Sequence, residues 1–408
     1  MVKWFAEKRS TGVQVPNVNP DILRWARETA GLSLEDAADR LGMGVARGVP
    51  GAQRLSMLEA GEGEPSRPIL VKMASLYRRP LLTFYLAGPP RVAARGEDFR
   101  TLPETFEQRD AALIDTLLRE VRARQEMVRA LLEAEDEAVE LPFVGSFDRR
   151  MGADALATLM VDVLDIDLDQ FRNGKQKRGF SYLRERAEAA GVFVLLIGNL
   201  GSHHSSLNVE LFRGFALADP VAPFIVINDQ DSEAAWSFTL LHELAHIWLG
   251  QTGISGSRPG TPVEVFCNDV AGRILLPTSE IANEQGLRTA TQAQVIARIG
   301  DIAAARQLSH SMVAYKLFRE NFIDQDMWVS VTTFFRQQWM LNRKAVRDRA
   351  RENEAGPNYY VVRRHRLGDR LLKLSRRMLA EGALSPSKAA AILGVRPNNV
   401  YPLTEVAA

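Results

Sequence analysis

The chain has 408 residues, of which 46% are hydrophobic and 25% are charged, and its formal net charge is +1 at pH 7. This length predicts roughly two to three domains that each bury a core, and the balanced charge argues against a polycation that binds nucleic acid over its whole surface. The single cysteine, Cys267, excludes an internal disulfide framework and favours a reducing compartment. No signal peptide and no membrane span is visible. We therefore expect a cytoplasmic protein without membrane association.

The first 90 residues predict a compact series of short helices, with glycines after several of them and a capping serine, Ser33, before the second. The predicted helices cover residues 21–30, 34–41, 52–60, 68–77 and 81–86. Short helices in this number, two of them joined by a turn, favour a helix-turn-helix domain.

The third of these helices would be the one that reads DNA, and Gln53 and Arg54 are its candidate base or phosphate contacts. A glycine-containing insertion at residues 43–51 lies where the turn should be tight, which argues against normal docking. DNA binding and a purely structural or protein-binding role both remain open.

Residues 91–150 predict a linker that contains a long, charged connecting helix over residues 106–137. In residues 151–323, helices are expected over 153–164 and 182–190, and strands over 192–197, 209–217 and 224–228. Strands followed by a long helix are the arrangement of zincin peptidases, in which a sheet edge can pair with an extended peptide.

That long helix contains the stretch LHELAHIWLG at residues 241–250. His242 and His246 are four residues apart and share a helix face, so both can bind one tetrahedral zinc ion, with Glu243 as the general base. The surrounding residues are apolar nearly all round, which predicts a buried helix whose polar groups need partners or a metal. A pair of structural core histidines is the alternative.

A catalytic zinc usually needs a third protein ligand. Residues 263–277 form a second helix with an apolar stripe, and on a neighbouring face it carries Glu264, the predicted third ligand. Asn268, one turn further on, is a candidate orienting partner, and Asp269 is the alternative ligand. Cys267 lies on the apolar stripe and is expected to be a small buried hydrophobe.

Two adjacent histidines, His203 and His204, lie in a polar loop. Neighbouring side chains point apart, so both cannot easily face one metal, and we expect solvated residues. Contact of either one with the zinc site, including a role in stabilising an oxyanion, is the alternative.

The last 85 residues, 324–408, are helical and basic. Candidate phosphate contacts are Arg363, Arg364, Arg366 and Arg370. Residues 384–403 predict a helix-turn-helix-like ending, with Ser385 as a cap and a turn at Gly394. A solvated helix face with a small dimerisation bundle, which would make the protein a homodimer, explains the same pattern.

Together, FTLLHELAH at residues 238–246 and E-x-x-C-N-x-x-A-x-x-x-L-L-P at residues 264–277 resemble the ImmA/IrrE family of metallopeptidases. The front half resembles the longer members, which fuse an Xre-type helix-turn-helix domain to the peptidase. The resemblance implies zinc bound by His242, His246 and Glu264, with Glu243 as general base. It also implies a protein substrate that is a repressor or is antitoxin-like. The insertion at residues 43–51 departs from the family pattern.

We therefore expect a mainly α protein with a small mixed β-sheet. It would comprise an N-terminal helix-turn-helix domain (1–90), a linker and connecting helix (91–150), an α+β zincin-like peptidase domain (151–323) and a helical C-terminal domain (324–408). One hypothesis is a zinc-dependent endopeptidase that cleaves a repressor or antitoxin-like protein and so relieves repression. The other is a DNA- or toxin-binding regulator or antitoxin that uses the zincin fold as an interaction module.

Overall fold

The computed structural model describes residues 17–90, 108–200, 205–210, 212–255, 261–352 and 358–405. The chain divides into two compact units, residues 1–94 with 105–116, and residues 95–104 with 117–408. Helix α5 (Gln108–Ala134) runs through the division. Among the described residues, no helix combines the length and the apolar character that crossing a membrane requires.

The first unit contains the predicted series of short helices. They are α1 (Pro20–Thr29), α2 (Leu34–Leu41), α3 (Gly51–Glu59) and α4 (Arg67–Leu76), followed by a 3-10 turn over Leu81–Tyr85. Side-chain caps start the first two helices, because Asn19 accepts from the backbone N–H of Asp21 and Ser33 accepts from that of Asp36. Gly42 ends α2 in the left-handed conformation, with φ of 70°.

A buried ion pair fixes α3 against α1. The Nε of Arg27 donates to Glu59 at 2.8 Å, and the two side chains are only 10% and 3% exposed. A second guanidinium, that of Arg24, donates to the carbonyl of Glu59 at 3.0 Å. This buried pair ties the C-terminal end of α3 to α1.

The second unit holds the remaining elements. Its helices are α6 (Ala153–Leu164), α7 (Leu168–Asn173), α8 (Phe180–Ala189), α9 (Glu233–Trp248), α10 (Pro262–Leu275), α11 (Gln292–Arg306), α12 (His310–Arg319), α13 (Gln325–Glu352), α14 (Tyr359–Leu367), α15 (Asp369–Ala380), α16 (Pro386–Leu393) and α17 (Val400–Thr404). Its strands are β1 (Phe193–Leu196), β2 (Gly214–Leu217), β3 (Phe224–Ile227) and β4 (Gly253–Ser255). Short 3-10 turns cover Arg149–Met151, Thr278–Ile281, Glu284–Thr289 and Pro397–Asn399.

The four strands form one mixed sheet in the order β1-β3-β2-β4. β1 and β3 are parallel, whereas β2 is antiparallel to both of its neighbours. Every side chain of β1, β2 and β3 is buried, so these strands read as continuous apolar runs without an alternating pattern. The predicted fold class, mainly α with a small mixed sheet, is confirmed. Strand β4 was not predicted, and the described part of β2 is shorter than the predicted strand.

The C-terminal end of α9 packs against the segment that follows α5. The rings of Phe143 and Trp248 stack with their centroids 4.4 Å apart. The backbone N–H of Gly145 donates to the carbonyl of Ile247, and that of Phe147 donates to Trp248. The second bond supplies a donor to a carbonyl in the last turn of the helix, and the first adds one to a carbonyl that already accepts from Gly250.

The C-terminal helices are built as the sequence predicts, with Ser385 capping α16 and Gly394 ending it in the left-handed conformation. Arg184 on α8 joins them to the sheet, because it is paired with Glu188 and donates to the carbonyls of Val194 on β1 and His365 on α14. One outer strand of the sheet, β1, is thereby packed against α14.

Candidate metal centre

Helix α9 carries the two histidines and the glutamate of the HExxH stretch. One turn separates His242 from His246, and their Nε2 atoms lie 3.1 Å apart. His242 is 3% exposed, and both Glu243 and His246 are fully buried. Burial of three ionisable groups in one turn is costly unless they find partners or a cation.

Helix α10 brings Glu264 to the same point. Thr261 caps this helix and accepts from the backbone N–H of Glu264, and Pro262 occupies its first turn. The two carboxylate oxygens of Glu264 lie 3.2 Å from Nε2 of His242 and 3.1 Å from Nε2 of His246. Burial would raise the pKa of the Glu264 carboxyl, but hydrogen bonds from the two imidazoles, together with their charges, hold it well below its usual range.

The three side chains fit a metal ion. Their candidate ligand atoms all lie within 4.8 Å of one another. Zinc binds imidazole nitrogen at roughly 2.0–2.1 Å, so two ligands at tetrahedral positions are about 3.4 Å apart, close to the spacings found here. Nitrogen and carboxylate lone pairs that converge in this way need a cation or added protons between them. Three protein ligands would leave a fourth position for water or substrate.

Glu243 lies against the backbone of the sheet. A methyl group built on Gly214 of β2 would be 2.8 Å from Oε1 of Glu243 and 2.6 Å from Cγ2 of Thr239, so only glycine fits there without a shift. Gly214 is paired in register with Ser255 of β4. The carboxylate therefore lies beside β2, one strand away from β4.

Comparisons with known proteins match two parts of the chain. Residues 198–318 match a peptidase family model described as the IrrE N-terminal-like domain, and residues 23–84 match a helix-turn-helix family model. The chain carries a helix-turn-helix domain and an ImmA/IrrE-type peptidase domain. Neither the curated proteins nor the solved structures contain a significant match.

A cleft of about 550 Å³ lies at the C-terminal end of α9 in the second unit. Its lining comprises Gly145, Ser146, Phe147, Asp148, Arg149, Arg150, Leu249, Gln251 and Val263. None of the three candidate ligands lines this cleft, although Val263 precedes Glu264 in the sequence. Sequence reasoning missed both this cleft and Gly214, although a glycine inside a strand often signals close approach by another group.

The other candidates on α10 have different surroundings. Cys267 is fully buried, as predicted. Asp269 accepts hydrogen bonds from Arg319 and Tyr315 and lies outside the cluster of candidate ligands. Within the described part of the chain, Nδ1 of His242 and Nδ1 of His246 have no hydrogen-bond partner, so the orienting role of Asn268 stays a prediction. His203 and His204 lie outside the described residues.

The four candidate phosphate contacts of the C-terminal domain point into the fold. Arg363 donates to the carbonyls of Leu393 and Gly394, Arg364 to those of Pro402, Leu403 and Glu405, Arg366 to the carboxylate of Asp229, and Arg370 to the carbonyl of Glu188. Guanidinium groups that hold the domain together in this way have fewer donors for a phosphate. Their positions therefore do not support the prediction of DNA contact by these residues.

The helix-turn-helix domain places Gln53 and Arg54 in the first turn of α3. Gln53 is exposed, whereas Arg54 is half-buried and donates to the carbonyl of Gly44 at 3.2 Å. Gln53 is thus available to a base edge, and Arg54 also supports the preceding loop.

Proposed function

We propose that this protein is a zinc-dependent endopeptidase that cleaves a repressor or antitoxin-like DNA-binding protein and so relieves repression. The observation that carries the proposal is the meeting of two imidazole nitrogens and one carboxylate within 4.8 Å, next to a buried glutamate. The match of residues 198–318 to a peptidase family model supports the reaction class.

In this proposal, His242, His246 and Glu264 hold the zinc ion and Glu243 is the general base. Zinc supplies a Lewis acid that polarises the scissile carbonyl and lowers the pKa of water towards neutrality. Glu243 takes the proton of the attacking water and delivers it to the leaving amine. Its carboxylate lies close to the strand at Gly214, where a larger residue would meet it.

An extended segment of a protein is the substrate shape that suits the sheet. β4 is the outer strand on the side of Glu243, and within the described part of the chain it is hydrogen-bonded only to β2. A peptide that adds to such an edge receives backbone hydrogen bonds along its length. The other outer strand, β1, is packed against α14 and is less accessible to a peptide.

The first test is metal content. We expect about one zinc ion per chain in the wild type and none in His246→Ala. The matched control is His310→Ala, because His310 stacks on Phe335 of α13 and lies outside the cluster. Equal metal content in the wild type and His246→Ala would refute the proposed centre.

The second test is cleavage. Mass spectrometry of newly formed protein N-termini in a lysate should reveal cuts in a DNA-binding protein that are made by the wild type and not by Glu243→Gln. Glu233→Gln, a change at an exposed position of the same helix, should cut normally. Loss of cleavage with retained metal is the expected signature of a missing general base.

A second function of a different class is favoured by the helix-turn-helix match at residues 23–84. The chain would act as a DNA- or toxin-binding regulator or antitoxin, and the zincin fold would serve only as an interaction module. Full biological activity of Glu243→Gln would favour this function over peptidase activity.

A further inference from the structure

The two ends of the connection between α2 and α3 lie against each other. Met43 and Gly51 are both buried, and a methyl group built on Gly51 would lie 1.6 Å from the carbonyl oxygen of Met43. The backbones at the two ends of the connection therefore touch, and only glycine permits this contact. Residues 44–50, which we name the projecting turn, do not separate the helices. They extend away from a junction that is itself tight.

The projecting turn has a defined shape. Ala46 and Val49 exchange two backbone hydrogen bonds of 3.1 and 3.0 Å. Between them, Arg47 and Gly48 both have positive φ, at 52° and 77°, as type I′ hairpin turns require. Arg54 of α3 donates to the carbonyl of Gly44 and braces one side. Arg47 is therefore held at the tip of an ordered hairpin turn.

The charged side chains in and around the projecting turn are all positive between residues 40 and 58. From residue 40 to residue 58 the sequence contains three arginines, Arg40, Arg47 and Arg54, and neither aspartate nor glutamate. Arg40 and Arg47 are exposed, and Val45 next to the tip is 75% exposed. Exposed arginines within a stretch that has no acidic residue are complementary to the phosphates of a nucleic acid.

The position of the turn is equally informative. It leads directly into the first turn of α3, and in helix-turn-helix domains the N-terminal residues of this helix contact base edges in the major groove. When such a helix lies in the major groove, an element at its N-terminal end lies close to the sugar-phosphate backbone.

We propose that the projecting turn is an additional DNA contact, in which the Arg47 guanidinium binds a backbone phosphate beside the groove that α3 enters. This contact does not depend on peptidase activity, and it rests on the second proposed function, DNA binding by the helix-turn-helix domain. It adds affinity without sequence specificity, because phosphates are the same at every step of the duplex.

The test uses the full chain and a fluorescein-labelled random-sequence DNA duplex of about 30 base pairs, with affinity measured by fluorescence anisotropy over a series of salt concentrations. Arg47→Asn removes the charge, and asparagine tolerates positive φ, so the turn is retained. Loss of one phosphate contact should reduce the salt slope by about 0.9 and weaken binding about five- to tenfold near 0.1 M salt.

Arg78→Asn is the matched control, because Arg78 also has φ of 52° and follows α4 in the same domain. It should leave the salt slope unchanged. Gly48→Val keeps the charge but strains a residue with φ of 77°, and it should weaken binding by displacing the tip. Circular dichroism and thermal melting establish that each variant is folded. Absence of duplex binding by the wild type, or equal salt slopes for Arg47→Asn and Arg78→Asn, would overturn the proposal.

Discussion

Two carboxylates on helix α10 have the same burial and opposite surroundings. The side chains of Glu264 and Asp269 are both 13% exposed. Glu264 faces two imidazole nitrogens, whereas Asp269 accepts from Nε of Arg319 at 2.8 Å and from the hydroxyl of Tyr315 at 3.1 Å. Arginine is permanently charged, so Asp269 is already neutralised. Glu264 lies opposite groups that are themselves candidate metal ligands. The partners of a buried carboxylate, and not its burial, distinguish a candidate site from a structural ion pair.

The largest expected effect is on zinc affinity, and it should differ between substitutions at these two carboxylates. Glu264→Gln should lower zinc affinity by at least about 100-fold, since it removes one of three ligands, whereas Asp269→Asn should leave zinc affinity unchanged. Competition with a chromophoric chelator measures both affinities. Asp269→Asn should instead lower the free energy of unfolding by roughly 1–2 kcal/mol, because Arg319 and Tyr315 lose their charged acceptor. Loss of zinc from Asp269→Asn would mean that the two clusters form one site.

The sequence predicted the candidate centre because its determinants are local. The spacing of His242 and His246 requires only helical geometry, and Glu264 could be chosen because it lies next to a helical apolar stripe that orients its helix. The secondary structure of the first unit was predictable for the same reason, since caps and glycines mark its helix ends.

Contacts between distant segments were not predictable in this way. Periodicity does not reveal that Glu243 lies against Gly214, or that Arg366 pairs with Asp229. The insertion at residues 43–51 indicated that the connection between α2 and α3 is not tight, whereas Gly51 lies directly against the backbone of Met43. Each of these features depends on which surfaces meet in the folded chain, and a single sequence does not encode that in its local pattern.

A smaller effect on activity should follow from a change that contacts Glu243, the proposed general base, and leaves the candidate zinc ligands in place. Gly214→Ala places a methyl group 2.8 Å from Oε1 of Glu243 and should displace that carboxylate. A misplacement of about 1 Å can cost about 100-fold in rate, so we expect peptidase activity to fall by about 10- to 100-fold with zinc content unchanged. Gly300→Ala, where the added methyl group would have no neighbour within 4 Å, is the control and should be fully active. Normal activity of Gly214→Ala would show that the strand does not position the base.

The smallest expected effect tests whether Asp269 is purely structural. Tyr315→Phe removes one hydrogen bond to Asp269 and should cost about 1 kcal/mol in the free energy of unfolding at neutral pH, without any change in zinc content. Burial, and then the charge of Asp269, raises the pKa of Tyr315 above its ordinary value of 10.0. As the pH rises, the unfolded chain therefore loses the Tyr315 proton before the folded chain does. The free energy of unfolding that this group contributes is fully present below pH 10 and declines as the pH rises towards the raised pKa.

Tyr315→Phe should consequently show a shallower alkaline loss of stability than the wild type, as measured by urea unfolding between about pH 8 and 11. Part of the loss should remain, because burial also raises the pKa of Tyr77 in the other unit. A neutral phenol that donates to a carboxylate already paired with Arg319 has no reason to influence zinc. If Tyr315→Phe nevertheless reduced zinc affinity, Asp269 would be coupled to Glu264 through α10, and the contrast between the two carboxylates would fail.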